Sequence, residues 1–125
     1  MRETEHALTT ICLGHPAIDG VDIYFSGHVH SYTRTLPVYQ SKVMQKGPSM
    51  FINPPSTMYV VAGGAGCDEM TTDGAGAKYG AEWVAKTDAH YGTGIFTVHN
   101  RTALSWSYII SDSLVEEDSF TLIKL

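Results

Sequence analysis

The chain is short of cations and of cysteine. Eight Lys and Arg stand against thirteen Asp and Glu, for a net charge of −5, and no basic run offers the phosphates of a nucleic acid a footprint. This argues against nucleic acid and anionic membrane as main partners. The two cysteines, Cys12 and Cys67, allow a single intramolecular pairing whose geometry sequence cannot decide. Neither stands in a Cys-x-x-Cys or Cys-plus-His spacing that would make a zinc knuckle. No apolar run approaches the roughly 18 residues of a membrane-spanning helix, and the polar start Met1–His6 lacks the apolar core of a signal peptide. No internal repeat is present.

What is present is the composition of a folded protein. With 43% hydrophobic and 17% charged residues, the chain reads as a globular domain. Its length fits one domain, residues 1–125, near the lower edge for a layered α/β enzyme. The sequence is organised around Val21–Arg34. Val21, Ile23, Tyr24 and Phe25 form a short apolar stretch, rich in β-branched and aromatic residues, that reads as a buried parallel strand ending at Gly27. Two histidines, His28 and His30, come next. Ligands of open α/β sheets collect beyond the carboxyl ends of the strands, which places this pair at the rim of a site. With an extended backbone both imidazoles leave from one face, because side-chain direction repeats every second residue, and they could reach one metal or two neighbouring ones.

Around this segment the elements are less even. Arg2–Leu13 carries Leu8, Ile11 and Cys12 at helical spacing and predicts a short helix, ended by Gly14-His15-Pro16. His15 reads as a loop residue. Met58–Ala62 predicts a second buried strand that runs into Gly63-Gly64-Ala65-Gly66. This cluster is not a nucleotide loop, because the third glycine position holds Glu69 and no Gly-Lys comes after it; a tight strand-to-loop turn accounts for it. Ser41–Thr57, with Gly47-Pro48 and Asn53-Pro54-Pro55, reads as a loop. Ala77–Lys86 reads as a brief helix, with Trp83 either over the site rim or anchored in a loop. Ile95–His99 and Ala103–Ile110 predict an antiparallel hairpin turning at Asn100-Arg101-Thr102, with Leu104, Trp106, Tyr108 and Ile110 on one face. Glu116-Glu117-Asp118 reads as a solvated loop before a last strand, Ser119–Leu125. A carbohydrate-binding β-module would need Trp106 and Tyr108 outside, whereas the alternation puts them on the presumed core face.

Gly27-His28-Val29-His30-Ser31-Tyr32-Thr33-Arg34, preceded by Val-Asp-Ile-Tyr-Phe, resembles the Gly-His-x-His-x-Tyr-Glu-Arg segment of the purple acid phosphatases, a branch of the calcineurin-like metallophosphoesterases. It departs at Thr33, where that family has Glu. Leu36–Tyr39, the glycine-rich turn after Met58–Ala62 and the stretch Tyr91–Gly94 resemble the elements downstream of the segment in that family. The resemblance implies an α/β fold, α+β-like in this part: the carboxyl-terminal half of a metallophosphoesterase β-sandwich flanked by helices, ending in the antiparallel hairpin and final strand. The implied activity is acid hydrolysis of phosphate monoesters at a binuclear metal centre, Fe(III) plus a divalent zinc, iron or manganese ion.

By resemblance, His28 is the ligand of the divalent ion and His30 that of the ferric ion. The family's other ligands lie in Gly-Asp, Gly-Asp-x-x-Tyr and Gly-Asn-His-Glu motifs, which do not occur here. The chain is therefore expected to be a carboxyl-terminal fragment, inactive by itself; the alternative is a short non-catalytic structural or binding protein. Tyr32 and Arg34 are candidates for contact with substrate or for support of the metal ligands; for Arg34 pairing with phosphate is one use and a structural salt bridge the commoner one. The implied partners are a phosphate monoester, the amino-terminal remainder of the same domain and a second copy in a homodimer. Members of the family are secreted, vacuolar or lysosomal glycoproteins, and Asn100-Arg101-Thr102 is an Asn-x-Thr acceptor in a turn, which makes Asn100 a glycosylation candidate.

Overall fold

The computed structural model describes residues 20–66, 68 and 81–125. The helix expected over Arg2–Leu13, the pair Cys12 and Cys67, and His15 lie outside the described residues. The strands are β1 (Ile23–Ser26), β2 (Tyr32–Thr35), β3 (Val38–Tyr39), β4 (Lys42–Val43), β5 (Met50–Ile52), β6 (Met58–Ala62), β7 (Val84–Asp88), β8 (Gly92–Asn100), β9 (Ala103–Ile110) and β10 (Glu116–Ile123). Among the described residues there is no helix.

One sheet has the order β1-β6-β2-β7, the other β5-β10-β9-β8, and β3 pairs with β4 alone. β1 and β6 run parallel, from Ile23 opposite Met58 to Ser26 opposite Val61. β2 is antiparallel to both β6 and β7. β6 is the continuous apolar strand its sequence requires, buried from Met58 to Val61. β1 departs from the expectation of full burial, with Tyr24 38% and Phe25 36% exposed. Among the described residues it is an edge strand with a neighbour on one side only, and Phe25 leans on Phe96 of the other sheet's edge strand β8, ring centroids 4.5 Å apart. In β9 the alternation holds, with Trp106, Tyr108 and Ile110 buried. A Cβ at Gly94 would collide with the Trp106 indole, so the glycine is what lets that ring lie across β8.

Three stretches differ from their sequence patterns. Ser41–Thr57 contains β4 and β5, and Phe51 of β5 is fully buried; β5 pairs in parallel with β10. Of the helix expected over Ala77–Lys86, residues 77–80 lie outside the described residues, while Val84–Lys86 belong to β7 and pair with β2. The pairing demand of β2 overrides the helix propensity of Ala and Lys there. Glu116–Asp118 is not a solvated loop. These residues open β10, with a bulge between Glu116 and Asp118.

A single core cluster draws Tyr32, Met58 and Val60 from the first sheet and Phe51, Trp106, Tyr108, Ile110, Phe120 and Leu122 from the second. A smaller cluster, Val29, Val38, Tyr59 and Val61, includes the outward side chains of β6, and Trp83 packs against it.

Within the shared core lies a polar network. Tyr32 donates its hydroxyl hydrogen to Asp118 Oδ2 (2.6 Å), Arg34 donates from Nε to Oδ2 (2.6 Å) and from Nη2 to Oδ1 (2.8 Å), and Trp106 Nε1 donates to the Tyr32 oxygen (3.0 Å). Tyr32 stacks on Tyr108 at 4.0 Å, and the Arg34 guanidinium lies 5.4 Å from the centroid of the Phe120 ring. Burial, then the negative charge of Asp118, pushes the Tyr32 phenol far up; burial, then Asp88, pushes Tyr108 up to about 12.

Both phenols therefore hold their protons more tightly folded than unfolded. The stability this contributes is complete below the ordinary tyrosine value of 10.0 and is lost as pH rises through the folded values, about 12 for Tyr108. The urea midpoint followed by circular dichroism is expected to fall as pH is raised above about 10, with two of the seven tyrosines ionising late in the tyrosinate absorbance. A midpoint unchanged up to about pH 12 would contradict this.

Candidate metal-ligand segment

Because β1 and β6 are parallel, their carboxyl ends open on one edge of the sheet: Gly27–His30 comes after the first and Gly63–Gly66 after the second. The backbone does not stay extended through the histidines. His28 has φ +72°, the Val29 N–H donates to the Gly27 carbonyl at 2.9 Å, and the Ser31 N–H donates to the Val29 carbonyl at 2.8 Å. These are two successive three-residue turns, the first centred on His28 in the strained positive-φ form. They turn Val29 inward to 6% exposure in the smaller cluster, leaving His28 exposed and His30 half-buried on either side of it.

The glycine turn is part of this construction. A side chain at Gly63 would strike the Val29 carbonyl, and the Gly63 N–H donates to the Ser31 carbonyl at 3.1 Å. Gly63 thus lets the end of β6 approach the histidine turn, as a strand-to-loop turn at the rim should. Strain at a non-glycine residue persists only where the surroundings over-determine it, and at His28 the Gly63 approach supplies that constraint; Gln40, Ser41, Asn53 and Leu114 also have positive φ.

Tyr32 and Arg34 lie behind the rim rather than on it. Arg34 is 2% exposed and Tyr32 fully buried, and the ion pair with Asp118 is the alternative that the geometry realises for Arg34. Burial pulls the guanidinium's pKa down, but the hydrogen bonds and charge of Asp118 outweigh it, so the net shift is upward and Arg34 stays charged. Its Nη1 is buried with no hydrogen-bond partner among the described residues. Asp118 is not legible as a site residue in the sequence, because a Glu-Glu-Asp run looks solvated. Asp88 and His90 are equally hidden there. The Asp88 carboxylate accepts the His90 N–H at 2.7 Å and contacts ring Nδ1 at 3.1 Å, and the Gly92 N–H bonds the Gly64 carbonyl at 3.1 Å, so the His90 stretch borders the glycine turn. An Asp two residues before a His was the available signal. Among the described residues no three His, Cys, Asp or Glu come together; His28 and His30 are imidazoles of the type that suits zinc, iron or manganese. At the far end of β8, Asn100 is exposed, and its Oδ1 accepts both the N–H (2.8 Å) and the hydroxyl hydrogen (2.9 Å) of Thr102.

The strand-rich fold agrees with three comparisons. A family model described as "Iron/zinc purple acid phosphatase-like protein C" matches residues 56–119. Among curated proteins, the chain is 34% identical over 105 residues to "Probable inactive purple acid phosphatase 27" of Arabidopsis thaliana, covering 83% of this chain and 16% of the relative. It is 31% identical over 112 residues to "Acid phosphatase" of Aspergillus ficuum, covering 84% of this chain and 18% of the relative. The solved structure of a purple acid phosphatase from yellow lupin (Lupinus luteus) seeds superposes with a TM-score of 0.67 at 31% identity, covering 83% of this chain and 18% of that one. The chain belongs to the purple acid phosphatase family. It spans less than a fifth of the length of these three proteins.

The strain at His28 is directly measurable. Replacing His28 with Gly is expected to raise the unfolding free energy by about 1 kcal/mol, because glycine adopts positive φ without cost. Gly63→Ala is expected to lower it by roughly 1–3 kcal/mol through overpacking against Val29. Urea titration of both variants checks this, and a lowered midpoint for His28→Gly would contradict a strained turn.

Proposed function

We propose that this chain supplies the Gly-His-x-His part of a purple acid phosphatase metal centre that hydrolyses phosphate monoesters, as the carboxyl-terminal portion of that domain's helix-flanked β-sandwich. The observation that carries the reading is the His28 turn: a strained backbone at the carboxyl end of a parallel strand pair, closed on Gly63, in a chain of this family. His28 would hold the divalent ion, zinc, iron or manganese, and His30 the ferric ion. Bound, such a pair of ions supplies charge neutralisation of the phosphoryl group and activation of water. The described side chains contribute orientation. Buried Val29 separates the two rings, and Tyr32 and Arg34 anchor the strand beyond them.

The edge of β1, which pairs with β6 alone among the described residues and leaves Tyr24 and Phe25 partly exposed, is where the amino-terminal remainder of the domain would add strands and the remaining ligands. A second reading, a non-catalytic structural or binding domain, draws support from the Arabidopsis relative, whose own name calls it probably inactive. Both readings agree that two imidazoles fall short of the three protein ligands common at a catalytic zinc.

Zinc chloride titrated into chain 1–125 is expected to shift the ring resonances of His28 and His30 and not those of His99, with weak affinity. p-Nitrophenyl phosphate turnover is expected to stay at the level of a His28→Ala/His30→Ala control. Zinc shifts absent from both rings would overturn the ligand assignment, and robust turnover abolished by the double substitution would show a complete enzyme.

A secreted, vacuolar or lysosomal compartment belongs to the same reading. Expression through a secretory pathway is expected to give a chain whose mobility shifts on glycosidase treatment and on Asn100→Gln. An Asn100 left unmodified there would remove this support.

A further inference from the structure

We propose that Asp118 is the positioning residue for the His28–His30 segment, acting from the other sheet through Tyr32 and Arg34; the metal side of this inference rests on the function proposed above. Three donors of β2 converge on the one carboxylate: Tyr32 Oη at 2.6 Å, Arg34 Nε at 2.6 Å and Arg34 Nη2 at 2.8 Å. Tyr32 is two residues past His30 and directly after Ser31, whose N–H closes the second histidine turn. The carboxylate comes from a strand 84 residues away in sequence from Arg34, so nothing local to the motif supplies it.

The bulge at Glu116/Asp118 makes this possible. A bulge re-aims the side chain next to it, and here the register resumes with Asp118 opposite Tyr108, the residue whose ring stacks on Tyr32 at 4.0 Å. Asp118 is thereby turned into the core, its side chain 8% exposed. The neighbouring Glu117 instead pairs with Lys86 at 2.6 Å, both side chains 33% exposed. Backbone pairing with β6 and β7 fixes β2 within its own sheet. The hydrogen bonds to Asp118 fix it relative to the second sheet. A turn centred on a strained residue keeps one shape only when both its flanks are held. Upstream of Ser31 the clamp is the Gly63 approach to Val29, and downstream it is Asp118.

The test compares chain 1–125 carrying Asp118→Asn, Tyr32→Phe or Leu122→Ala with the unsubstituted chain. Leu122 is a core residue of β10, 3% exposed, four residues along the strand from Asp118 and opposite Leu104, and its truncation lowers stability while leaving the hydrogen bonds to Asp118 and Tyr32 in place. Two readouts are taken: zinc affinity from the His28 and His30 ring resonances, and amide exchange at Ser31 and Gly63. Asp118→Asn and Tyr32→Phe are expected to weaken zinc binding roughly tenfold, the lower end of what loss of a supporting partner behind a metal ligand produces. The same variants should speed exchange at Ser31 and Gly63 more than at β8 and β9 amides. Leu122→Ala should lower the melting temperature at least as much while leaving zinc affinity within about twofold, as expected of a distant independent site.

Equal loss of zinc affinity in Leu122→Ala and Asp118→Asn would reduce the effect to general stability and overturn the proposal, as would unchanged exchange at Ser31 and Gly63 in Asp118→Asn and Tyr32→Phe. If the unsubstituted chain binds no zinc at these rings, the metal reading fails while the exchange data still decide whether Asp118 positions the segment.

Discussion

A charged pair buried between two sheets is the constraint on which the rest of this structure depends. Arg34 and Asp118 are both nearly inaccessible and joined by two hydrogen bonds. Removing one partner of such a pair typically costs about 3–5 kcal/mol, because the other charge is left uncompensated in a low-dielectric interior. A network of this kind specifies as much as it stabilises. An aliphatic interface would tolerate a shift of one sheet over the other, whereas a bidentate carboxylate with a tyrosine hydroxyl on the same oxygen holds β2 at one place on β10. Trp106 extends the network into β9 by donating to the same tyrosine.

The histidine turn inherits that fixed position. Ser31 ends the histidine turn and Tyr32 begins the anchored strand, so the turn at His28 stands on a rigid support on one side and on the Gly63 approach on the other. The division of labour is visible in burial: Tyr32 and Arg34 are spent inside, Val29 is tucked under the sheet, and His28 faces solvent. In the Gly-His-x-His-x-Tyr-x-Arg stretch of this chain, the first half presents side chains and the second half holds them. Thr33 is buried on the opposite side of β2 from Tyr32 and Arg34 and takes no part in the junction with β10.

What could be read from sequence was what repeats locally. Met58–Ala62 and Ala103–Ile110 appeared with correct bounds because burial on two faces, or on one, leaves a run or an alternation within a few residues. The family resemblance lay in contiguous residues and was equally accessible. The parts that escaped are non-local or conformational. β5 is three residues between breakers, made a strand by β10, some 70 positions further on. β7 has helix-favouring residues and becomes a strand because β2 needs a second neighbour. Asp118 looked solvated because its partner is 84 residues away. The φ of +72° at His28 has no periodic signature, and an extended His-x-His was the natural default for a pair at the end of a strand.

In the proposed function, this chain, a member of the purple acid phosphatase family, presents His28 and His30 as metal ligands on a turn fixed by the junction between its sheets. Anomalous diffraction from zinc-soaked crystals of chain 1–125 tests it most directly. The expected result is anomalous density at roughly 2.0–2.1 Å from ring nitrogens of both His28 and His30, with the Arg34–Asp118 pair intact beneath them. Density confined to other groups, such as Glu116 or His99, with neither His28 nor His30 in coordination distance, would contradict it.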